Sequence, residues 1–112
     1  MSQPSVQVGP YVVGEKPIPL QYTFLDNSGA AIDISGYTAK FVLHEQLGVV
    51  QTFNATIPTP TGGVAQYTWV GTEFPTPGHY RARFWVGNNA QRLASVLITF
   101  DVADSEGPVP NI

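Results

Sequence analysis

Arg81, Arg83 and Trp85 stand at alternate positions of one apolar-rich segment, and Arg92 follows shortly after. In an extended chain that spacing puts the first three side chains on one face. Trp and Arg are the residue types that most often anchor protein interfaces. The row is therefore a candidate binding surface, set against the plainer reading of a solvated strand face with one half-exposed Trp. The chain's two histidines, His44 and His79, offer little beside it. His44 is followed directly by Glu45, and neighbours in a strand point to opposite faces, which argues against a shared metal site. Asp101, Asp104 and Glu106 lack the ligand spacing of a calcium loop. Asp26-Asn27-Ser28-Gly29 is explained by its turn chemistry. No serine lies in a G-x-S-x-G setting. No catalytic residue, metal or cofactor is expected, and the chain is not expected to be an enzyme.

The 112 residues allow one domain with a modest core. They are 43% hydrophobic, with two Trp, five Tyr and six Phe. Only 12% are charged, about half the usual share, which fits a surface partly covered by a partner and equally a polar surface built from Thr, Gln, Ser and Asn. A net charge of −3 speaks against a general nucleic-acid role. The absence of Cys removes disulfides, thiolate metal sites and a Cys nucleophile together. The first ten residues lack a basic stretch followed by an apolar one, so no signal peptide is expected. No run reaches membrane-spanning length, and no membrane partner is expected.

Period-two alternation dominates the chain, and no helical period stands out. Strands are expected at residues 20–25, 37–44, 49–57, 64–70, 79–86 and 94–102. They are separated by breaks rich in Gly, Pro, Asn and Asp. The expected architecture is an all-β, immunoglobulin-like antiparallel sandwich of about seven strands, with a closed barrel as the alternative. Residues 1–13 read as an extended arm with short edge strands, 14–103 as the sandwich, and 104–112 as a second arm. Expected core residues are Tyr22, Phe24, Phe41, Phe53, Tyr80, Phe84, Ile98 and Phe100. Tyr80, two residues after Gly78, reads either as a tyrosine corner or as a plain core aromatic.

The register of the last hairpin decides what faces outward, because a slip of one residue inverts every side chain. An odd loop, or a bulge at Asn89, would align Ala82 with Val96 and Phe84 with Ala94. Both apolar rows then face the core. The opposite face gathers Arg81, Arg83, Trp85, Leu93 and Leu97, too apolar for ordinary solvation and therefore the expected protein interface.

Three segments carry a family resemblance. They are Pro19 to Asp26 with Gly29 and the stretch from Ile34 to Ala39; Gly63-Val64-Ala65-Gln66-Tyr67; and Pro77 to Phe84, closed by Ser95 to Val102. In that order they resemble the N-terminal immunoglobulin-like domain of phage baseplate upper proteins and related virion modules. The resemblance implies a structural virion protein, made in a host cytoplasm, that attaches to other virion proteins and to copies of itself. Capsid decoration, head–tail connection and a baseplate or tail accessory role all fit, because the sequence ends at Ile112 without a fibre region. The alternative is a carbohydrate-binding β-sandwich module in which exposed Tyr67, Trp69 and Trp85 stack on sugar rings.

Overall fold

The computed structural model describes residues 5–46 and 48–110. The described residues form nine strands: β1 (Ser5–Gln7), β2 (Tyr11–Val12), β3 (Leu20–Thr23), β4 (Thr38–Glu45), β5 (Val50–Thr59), β6 (Val64–Tyr67), β7 (Gly78–Gly87), β8 (Arg92–Ala94) and β9 (Leu97–Ala103). Among the described residues the only helical element is a single 3-10 turn, Pro60–Gly62. The fold is all-β and sandwich-like.

The strand order is β1-β9-β7-β4-β5-β6-β3, with β2 also on β9 and β8 also on β7. All neighbours are antiparallel except β1 and β2, which run parallel to β9. The long strand β5 joins the two layers. Its first half pairs with β4 and its second half with β6, across a register shift between Thr56 and Thr59. Pro58 falls inside that irregularity, where a missing N–H does least harm to the ladder.

Alternation does place the core. Phe41, Leu43, Tyr80, Phe84, Phe100 and Ile98 are buried, and Phe24 joins them from the second layer. Tyr22 and Phe53 pack against this core while remaining partly exposed. Tyr80 fills both roles open to it: it is buried, and its hydroxyl donates to Thr76 O at 2.7 Å.

The segment expected as an N-terminal arm is sheet from its first described residue. β1 and β2 extend the β9 edge, while Val8, Tyr11 and Val13 pack on the core. Tyr11 stacks on Phe74 with ring centroids 5.3 Å apart. Residues 1–4 lie outside the described part. The C-terminal segment forms no strand from Asp104 to Pro110. It folds back onto the chain's beginning, and a Cβ added at Gly14 would come within 2.5 Å of Val109. Gly14 therefore makes room for this closure.

Candidate functional site

The outer face of the sheet is a lattice of side chains fixed by two registers. Across β4 and β7, Lys40 stands beside Trp85, Val42 beside Arg83 and His44 beside Arg81. On the other side of β4, Asn54, Thr52 and Val50 stand beside the same three residues. β9 contributes Thr99 beside Arg81 and Asp101 beside His79. The alternate residues on these strands are the buried core row, so burial of one face dictates the composition of the other.

Four of the chain's five Lys and Arg residues line this face: Lys40, Arg81, Arg83 and Arg92. Two shallow hollows share Val42 and Trp85. The larger, ≈ 580 Å³, runs past Thr38, Lys40 and Thr52 to Arg92. The smaller, ≈ 200 Å³, is bounded by His44, Arg81, Arg83 and Leu97. No Asp or Glu lines either one. Trp85 is 37% exposed, with half-buried Val42 and Leu97 nearby. Lys40 reaches across to β5, where its ammonium donates to Asn54 Oδ1. The Arg81 guanidinium donates to His44 Nδ1 at 3.4 Å. At the far end of the face His79 Nδ1 donates to Asp101 Oδ1 at 2.8 Å, an exposed pair of small energetic weight.

Arg81, Arg83, Trp85 and Leu97 thus share one face, as the alternation required. Leu93 does not. It stands opposite Val86, a buried residue, and packs on the core. The physical reason is the hairpin. Gly87 pairs with Arg92 across a four-residue loop, so Trp85 meets Ala94 and Val86 meets Leu93. Past Ser95 the pairing shifts by one, and Ala82 meets Ile98. Two residues, Val96 and Leu97, therefore oppose the single residue Arg83, which is a bulge. The shift sits at Val96–Leu97 rather than at Asn89. Neither expected pairing, Ala82 with Val96 or Phe84 with Ala94, forms.

Lys40 and Arg92 were missed as members of the face. Lys40 was legible, since it alternates with buried Ala39, Phe41 and Leu43. Histidine chemistry does not assemble. His44 lies on the outer face, whereas Glu45 is buried and accepts from Thr76 Oγ1 at 3.0 Å. Among the described residues no three His, Asp or Glu side chains gather in a way that could hold a metal. Asp26 Oδ1 accepts from Ser28 N–H, Ser28 Oγ and Ala30 N–H, which closes a turn and holds its carboxyl below the usual range.

The aromatic platform expected for sugar stacking is not formed, because Tyr67 and Trp69 are core residues, 4% and 1% exposed. Tyr67 stacks on Phe41 at 4.5 Å and Trp69 meets Phe74 at 5.0 Å. Beneath them lies Glu73, a buried carboxylate. It accepts from Tyr67 Oη at 2.6 Å, Val70 N–H at 2.8 Å and Gly71 N–H at 2.9 Å. Burial opposes its ionisation, but the hydrogen bonds prevail and hold its pKa below the usual value. Burial and the same carboxylate push the Tyr67 hydroxyl strongly upward. This cluster ties the loop after β6 into the core and does not open to solvent.

No protein-family model matches the chain, and no curated protein matches it. Among solved structures its fold is similar to CopC from Methylosinus trichosporium OB3b, with a TM-score of 0.52 and 12% identity over 96% of this chain and 91% of that one. At that identity the likeness concerns the fold alone. The expectation of a phage virion attachment protein is corrected by this finding, since the protein whose fold this chain shares, CopC, is not a phage component.

Proposed function

We propose that this chain is a non-catalytic binding module whose outer sheet face, formed by β4, β7, β8 and β9, holds an acidic surface of a protein partner. The observation that carries the reading is charge segregation. The chain has a net charge of −3, yet four of its five basic residues line hollows without a carboxylate, around a half-exposed Trp. Basic residues scattered only for solubility would not gather on one face. Trp85, Val42 and Leu97 supply apolar area, while Lys40, Arg81, Arg83 and Arg92 supply complementary charge and steer the encounter.

The test is a titration with polyglutamate, using polylysine and duplex DNA as controls. Polyglutamate should quench or shift Trp85 emission, and the effect should weaken with salt as exposed charges are screened. The double substitution Arg81→Glu with Arg83→Glu should abolish it. Equal binding by that variant, or preferential binding of DNA, would overturn the reading.

A further inference from the structure

We propose that the partner docks as an added β-strand along the free edge of β5 from Val50 to Asn54, and that this strand alternates acidic and apolar residues. The proposal rests on the acid-binding reading of the outer face and specifies how the partner meets it.

The edge follows from the hydrogen-bond phase. Glu45 N–H donates to Val49 O at 2.8 Å, so the odd residues of β4 turn their backbone groups toward β5. The register then bonds Gln51, Phe53 and Ala55 to β4. Val50, Thr52 and Asn54 point their N–H and C=O groups the other way. β6 occupies that side only from Thr56 onward, opposite Gln66. After Tyr67 the chain leaves the strand and buries Trp69 in the core. Val50, Thr52 and Asn54 are all exposed, and neither neighbouring strand takes their outward backbone groups.

The other edges are guarded, β8 by its three-residue length and Arg92. β3 has four residues and follows Pro17 and Pro19. The β1–β2 edge is broken at Gly9-Pro10. Short strands, prolines and charges are the usual protection of a sheet edge. From Val50 to Asn54 there is no Pro, no charge and no register shift.

Side-chain chemistry selects the occupant. An added strand would lie about 4.8 Å from β5. Its outward side chains would stand beside Val50, Thr52 and Asn54, where Lys40 already extends its ammonium to Asn54. Carboxylates there would meet the Lys40 ammonium, the basic group of the face that reaches β5. Its inward side chains would cover the exposed part of Phe53, which packs against Tyr67 at 5.3 Å. Backbone pairing supplies affinity and alternate side chains supply specificity, as in other strand-addition complexes.

The experiment uses a nine-residue capped peptide alternating Glu and Val. Its comparison peptides carry Lys for Glu, or backbone N-methylation at every Val, or at every Glu. The peptide should shift the amide resonances of Val50, Thr52 and Asn54. One of the two N-methylated forms should bind about tenfold or more weakly, because its strand edge can no longer donate. The Lys peptide should not bind. Thr52→Pro, which removes an outward N–H and no bond to β4, should weaken binding alike. The inference fails if the Glu peptide does not bind, or if both N-methylated forms bind as tightly as the parent. It also fails if the free protein dimerises through β5 and Thr52→Pro abolishes that dimer, since the occupant is then a second copy. Polyglutamate binding that is lost in the Arg81→Glu, Arg83→Glu variant but insensitive to peptide N-methylation would leave the face reading standing and remove only the added strand.

Discussion

Ser95 replaces a piece of backbone opposite Phe84. Its N–H donates to Phe84 O at 2.9 Å, and its Oγ accepts the Phe84 N–H at 2.9 Å while donating to Val96 O at 2.8 Å. The carbonyl that would normally take the Phe84 N–H is thus freed to turn away. That allows the extra residue of the bulge, after which Ile98, Phe100 and Val102 return to the core face. One buried hydroxyl lets a strand pair on β7 in two registers.

Ser95→Ala leaves the buried Phe84 N–H without its acceptor. The expected cost is about 1–3 kcal/mol, the desolvation penalty of an orphaned donor. Ser95→Thr, which keeps the hydroxyl, should cost less. Urea unfolding of the two variants checks this, and equal midpoints for Ala and wild type would remove the hydroxyl from the account.

Strand parity was legible wherever one face is wholly buried. Residues 38–45 and 78–87 alternate cleanly, so the outward row of Arg81, Arg83 and Trp85 could be read from Tyr80, Ala82 and Phe84 alone. Leu93 was not legible. Its side depends on loop length and on a bulge created by a side-chain–backbone bond, and neither leaves a periodic trace. Trp69 stands in phase with Ala65 and Tyr67, but its burial depends on how the sheet curls into a second layer. Glu73 looks like a loop carboxylate, because its donors converge only after the loop has closed over Trp69 and Phe74.

Glu73 should make stability depend on acid. Its folded-state pKa lies below the unfolded one, because the Tyr67 hydroxyl and two backbone N–H groups outweigh the burial that opposes charge. Its contribution is therefore present above the unfolded value and lost as pH falls through the folded value. Glu73→Gln puts an amide N–H where a backbone or phenol donor already points, at a cost of about 1–3 kcal/mol near neutrality. Unfolding free energies measured from pH 7 down to pH 3 should fall less steeply in the variant. Parallel profiles would show that the carboxylate is not held ionised.

Tyr80 offers a separation of its two roles. Tyr80→Phe removes the bond to Thr76 O and the longer 3.5 Å contact with Thr76 Oγ1, and should cost about 0.5–1.5 kcal/mol. Phe84→Ala and Phe100→Ala, each at a fully buried site, should cost about 3–5 kcal/mol through lost transfer energy and the cavity left behind. Denaturant titration orders the three. A Tyr80→Phe cost as large as either truncation would mean the hydroxyl tie, and not the ring, holds the loop before β7.

Leu93 lies one residue from Ala94, the direct partner of Trp85, so the two side chains stand on opposite faces of the same hairpin, and their truncations should separate folding from binding. Leu93→Ala removes area packed on the core, so its melting temperature should fall by several degrees while polyglutamate binding is kept. Trp85→Ala removes a half-exposed ring, so its melting temperature should stay within a few degrees while binding weakens. Combining Trp85→Ala with Arg83→Ala should deepen the binding loss with little further effect on folding. Calorimetry with a parallel binding titration reads both quantities on each variant. A Leu93→Ala protein that melts normally but no longer binds would place Leu93 on the outer face and reverse the register from which this assignment follows.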